Sequence, residues 1–97
     1  MPQFVILCNL TAKGLADIKD APARYQAVVK GIKAAGGKVL SFHATMGAYD
    51  YVMVAEAPSD ELAALMSMAT AAQGYITTQT LRAFTPEEFA GLVSQLP

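Results

Sequence analysis

The chain has 97 residues, 54% of them hydrophobic and 15% charged, with a formal net charge of -1. That is enough for one domain with a thin core, because a domain of this size buries only about 60–65% of the surface its unfolded chain exposes. The charged fraction lies well under the ~25% of an ordinary soluble domain, which predicts apolar surface buried between subunits, and the scattered Lys13, Lys19, Arg24, Lys30, Lys33, Lys38 and Arg82 exclude a nucleic-acid footprint.

The start, Met1-Pro2-Gln3-Phe4, has no basic stretch followed by a long apolar one, so no signal peptide is expected. Phe4 to Leu10 is short, apolar and β-branched, and reads as a first strand with apolar residues on both faces. Cys8 within it is the only cysteine, which rules out an intramolecular disulfide and fits a reducing, cytoplasmic location. In an apolar strand it reads as a small buried hydrophobe rather than a nucleophile. Thr11 to Lys19 is a connector with room for one helical turn. Asp20 then reads as the N-cap of a helix with Pro22 in its first turn. Tyr25, Val28, Val29 and Ile32 form its apolar stripe, and Gly36-Gly37 its end.

Val39 to Met46 and Tyr49 to Ala57 read as the second and third strands, joined by Gly47-Ala48 as a tight two-residue hairpin. Pro58-Ser59-Asp60 ends the third strand and caps a helix whose stripe is Leu62, Leu65, Met66 and Ala69. Tyr75 to Ala83 is a threonine-rich fourth strand. Thr85-Pro86-Glu87-Glu88 is a capping box that opens a last helix with Phe89, Leu92, Val93 and Leu96 on one face. No apolar run approaches the ~20 residues of a membrane span. The order β-α-β-β-α-β is that of a ferredoxin-like α+β fold: a four-stranded antiparallel sheet, two helices on one face and an extra C-terminal helix, in a single domain over residues 1–97. The other face of the sheet is left bare unless the last helix covers it, and a second copy of the same sheet is the simplest cover.

The hairpin Thr45-Met46-Gly47-Ala48-Tyr49-Asp50 resembles the glycine-x-tyrosine-aspartate signature of the GYD-domain family. Val54 to Pro58, Thr78 to Phe84 and the run from Thr11 and Gly14 to Pro22 and Arg24 are similar to that family too, in order and over nearly the whole chain. The resemblance implies a dimeric α/β-barrel relative of the ferredoxin-like fold and no established general activity. His43 stands where the family leads one to expect an aromatic, so no role for it is carried over. A similar hairpin occurs in the effector-binding domains of leucine-responsive-type regulators, which bind small ligands between subunits; by that analogy a small ligand is expected here.

With a two-residue loop, Thr45 faces Asp50, His43 faces Val52 and Ser41 faces Val54, so Ser41, His43, Thr45, Asp50, Val52, Val54 and Glu56 share one face. Leu40, Phe42, Ala44, Met46, Tyr49, Tyr51, Met53 and Ala55 share the other and suit packing under helices. Thr78, Thr80 and Arg82 join the polar set only if their parity matches. The candidate ligand-binding residues are therefore His43, Thr45, Tyr49, Asp50, Glu56 and Arg82, around a cavity touching His43 and Asp50. Asp50 either anchors a ligand or acts as a base, or else accepts structural hydrogen bonds at the hairpin. With one histidine and no second His or Cys at ligand spacing, no metal site is expected, and no cofactor. Two functions fit: an oligomeric domain binding a small apolar or amphipathic molecule at the sheet or subunit interface, or a small cofactor-free barrel enzyme (an isomerase, cyclase or monooxygenase-like protein) using His43, Asp50 or Tyr49.

Overall fold

Strand β1, Gln3–Leu10, lies inside the sheet, in keeping with its two alternating apolar sets. Phe4, Ile6 and Cys8 point to one side and are buried; Val5 and Leu7 point to the other and are half-exposed. The computed structural model describes all 97 residues. After β1 come a short helix α1 (Ala12–Ala16), a 3-10 turn (Ile18–Asp20), α2 (Ala21–Ala34), β2 (Lys38–Ala44), β3 (Tyr51–Glu56), α3 (Asp60–Ala72), β4 (Ile76–Ala83) and α4 (Pro86–Val93). The strands form one antiparallel sheet in the order β2-β3-β1-β4. This is the ferredoxin-like α+β arrangement, with α2 packed over β2 and α3 over β4 on one face. No helix is long and apolar enough to cross a membrane.

The core lies between that helix layer and the sheet: Phe4, Ile6 and Cys8 of β1, Met53 and Ala55 of β3, Ile32 of α2 and Ala63 of α3. The opposite face carries Val5, Leu7, Val52 and Val54, none of them buried. Helix α4 does not cover it, since every residue from 86 to 97 is exposed.

Several local expectations meet a different structure. Ala44 ends β2 and Tyr51 begins β3, so the connection is not a tight two-residue hairpin. The amide of Thr45 donates to the carbonyl of Asp50 at 2.8 Å, and Met46 to Tyr49 form a four-residue loop beyond that bond. The reason is β1: the amide of Asp50 donates to the Cys8 carbonyl at 2.9 Å, and its Oδ2 accepts from the amide of Leu10 at 2.8 Å. These bonds tie Asp50 to β1 while its carbonyl stays on the Thr45 amide. Four is still an even number, so the pairs Thr45–Asp50, His43–Val52 and Ser41–Val54 stand as expected. Gly47 does take a positive φ, 104°, with open space where a side chain would be. Farther along β2, a bulge between Val39 and Ser41 leaves Leu40 unpaired, so Val39 and not Leu40 packs on the core.

Two helix readings also shift. The Asp20 side chain makes no capping bond, because the 3-10 turn runs directly into α2. Helix α3 is capped by Ser59, whose Oγ accepts from the Leu62 amide at 3.1 Å, but it turns Ala63 and Met66 inward and leaves Leu65 56% exposed. The small Ala63 lets the helix axis approach the sheet closely.

Candidate functional site

The six residues singled out in the sequence are not brought together. His43 is exposed on the open face opposite Val52. The Thr45 hydroxyl donates to the carbonyl of Tyr49 at 2.6 Å and not to Asp50. Tyr49 reaches over the open face, its phenol donating to Gln79 Oε1 of β4 at 3.0 Å. Asp50 has its carboxylate on the β1 backbone. Glu56 sits at the far end of β3 beside Gln3 and Lys38, about 20 Å along the strand from Asp50. Arg82 pairs with Phe4 and so lies on the helix side of the sheet, as do Thr78 and Thr80, which pair with Cys8 and Ile6. There the Arg82 guanidinium lies 4.7 Å from the Phe84 ring and its Nε 3.7 Å from Asp60 Oδ1.

An apolar cleft lies on that helix side. Helices α2 and α3 diverge and leave a cleft of about 130 Å³ over the central strands, lined by neither His43 nor Asp50. Of the six residues, only Glu56 borders it; Arg82 borders a shallower neighbouring recess. The floor is Phe4, Ile6, Cys8 and Met53, and the α3 wall includes Leu62 and Met66. One side is a row of aromatic rings: Tyr25 lies 4.2 Å from Phe42, and Phe42 lies 5.3 Å from Tyr51, centroid to centroid. Tilted rings at these separations hold a fixed, apolar wall. Burial pushes the Cys8 thiol up from its ordinary 9.0 to about 11, so at neutral pH it is a protonated, unreactive part of the floor.

Glu56 borders the cleft on one side, and another end of it is cationic and built by α1. Thr11 caps α1 by accepting from the Gly14 amide at 3.1 Å, and its own amide and hydroxyl donate to the carbonyls of Tyr75 and Gly74 at 3.0 and 2.6 Å. Gly14 is required there: a Cβ on it would stand 2.1 Å from the Tyr75 carbonyl oxygen. This clamp sets Lys13 beside Tyr75, with Nζ 4.3 Å from the ring centroid and donating to the Gln73 carbonyl at 3.2 Å. Arg24 in the first turn of α2 brings its guanidinium carbon to 4.2 Å from the same centroid. Its Nη1 donates to the Asp17 carbonyl at 2.9 Å, while Nη2 is buried without a partner. The only ion pair in the chain is Arg82–Asp60, so neither Lys13 nor Arg24 has a carboxylate within 4.0 Å. Arg24, Gln73 and Tyr75 all line the cleft. Sequence reasoning missed this end because Lys13, Arg24 and Tyr75 share no motif and meet only through the fold; both cations read there as solvated surface.

Comparison with known proteins bears on the whole of this architecture. The model of the GYD domain matches residues 4–93, which takes in all of the sheet but Gln3, the cleft and the whole of α4. A protein of Thermus thermophilus named "Glutamine synthetase and cystathionine beta-lyase binding protein" is 32% identical over 84 residues, covering 86% of this chain and 88% of that one.

Proposed function

Because the chain belongs to the GYD-domain family, we propose that it is a self-associating binding module: two copies pair through their open sheet faces, and each holds a small apolar or amphipathic molecule in the cleft between α2 and α3. The observation that carries this is the cleft itself, an apolar chamber with an aromatic wall left open in so small a core. Self-association is supported by the open face, where Val5, Leu7, Val52 and Val54 form an uncovered apolar strip. The unpartnered α4 and the residues after it add Phe89 and Leu96, 62% and 69% exposed. The relative's name describes a protein that binds two enzymes. Carried to this chain, it supports a role in which the module also contacts a larger protein.

Native mass spectrometry of the purified chain tests the reading. The expected result is a species of twice the 10.2 kDa chain mass that carries a small molecule released on denaturation or takes up an added apolar one. A bare monomer at micromolar concentration that takes up no apolar probe would overturn it.

A further inference from the structure

We infer that the ligand of the cleft is an amphipathic carboxylate, with its apolar part on the Phe42, Tyr51 and Met53 side and its charged end at Arg24 beside Tyr75. The inference rests on the reading of the cleft as a ligand site and adds the chemical class. Three observations support it. Two cationic groups stand within 4.3 Å of one ring centroid, and no carboxylate of the chain lies within 4.0 Å of either. Like charges so placed repel each other, and the Tyr75 ring offsets that only in part. An anion at Arg24 on the cleft side of Tyr75 lowers that repulsion.

Arg24 is held in a state that lacks an acceptor. Nη1 is fixed on the Asp17 carbonyl at 2.9 Å, which orients the planar fork, and Nη2 is buried with nothing to donate to. A guanidinium offers paired donors that match a carboxylate. Nη2 has already lost its water, so part of the desolvation that binding an anion requires is met in the free chain. The charged end and the apolar chamber belong to one cavity, since Arg24 and Tyr75 line the same cleft as Phe42 and Met53. A purely apolar ligand leaves Nη2 unpaired, and a cationic one adds a third positive charge.

Titration calorimetry of the full chain at neutral pH with octanoate, octan-1-ol and octylammonium tests the inference. Octanoate is expected to bind roughly tenfold or more tighter than octan-1-ol, the value of one hydrogen bond to a charged group, with octylammonium weakest. Arg24→Gln is expected to remove most of that preference and Lys13→Gln part of it, both leaving octan-1-ol unchanged; Arg24→Lys keeps part of it. Lys13 is exposed, so Lys13→Gln tests the charge even if Arg24→Gln fails to fold. Equal binding of octanoate and octan-1-ol, or tighter binding of octylammonium, overturns the carboxylate and leaves the cleft as a ligand site. Binding of none of the three overturns both readings.

Discussion

Asp50 commits both its backbone and its side chain to β1, with its amide on the Cys8 carbonyl and its Oδ2 on the Leu10 amide. Those bonds span 40 residues of sequence in the side-chain case and close the end of the β1–β3 ladder beyond Tyr51. Of the two roles open to this aspartate in the sequence, the geometry is that of the structural one. Asp50→Ala leaves the half-buried Leu10 amide without an acceptor, and thermal or urea unfolding should show a loss of about 1–3 kcal/mol. Asp50→Asn retains an oxygen acceptor and should cost less. If Asp50→Ala unfolds with unchanged stability, this hydrogen bond contributes nothing to the fold.

At the scale of elements, what was legible in the sequence was what local chemistry decides. The capping box of α4 is present as read: the Thr85 amide donates to Glu88 Oε1 at 2.9 Å, and the Glu88 amide donates to Thr85 Oγ1 at 3.1 Å. The parity of β2 against β3 was legible too, because any even loop gives the same faces. The span of the loop was not, because its end is fixed by the bonds of Asp50 to β1, far away in sequence. The face of Arg82 was not, because β4 takes its register from β1, far away in sequence. The candidate site was largely illegible: the aromatic wall was readable only as residues packing under helices, and its charged end is assembled from α1, α2 and the turn before β4. The capping box also carries a pH dependence. The hydrogen bond from the Thr85 amide holds the Glu88 carboxyl below its ordinary pKa of 4.5. A carboxyl depressed in the folded state stabilises α4 above its ordinary pKa, and the contribution is lost as pH falls through the lowered one. Carbon-13 shifts of residues 86–93 should therefore lose helical character on acidification, and Glu88→Gln should flatten that response.

The whole molecule is longer than its residue count requires. Its radius of gyration is 14.6 Å and its longest extent 52 Å, where a compact chain of this length has a radius of about 12.5 Å. The excess fits α4, which is exposed along its entire length, Phe89, Leu92 and Val93 included. A helix of eight residues has little stability of its own in water, so whatever order α4 keeps must come from what it touches. Its amides are then a gauge of assembly. In dilute solution the amide of Phe89, bonded only to the Thr85 carbonyl at 2.8 Å, should exchange with deuterium almost as fast as in an unfolded peptide, while the amides of β1 exchange slowly. As concentration rises through the point of dimerisation, protection of residues 89–93 should rise with it. If exchange in α4 stays fast while the chain dimerises, the helix lies outside the interface and its apolar stripe is free for a different protein.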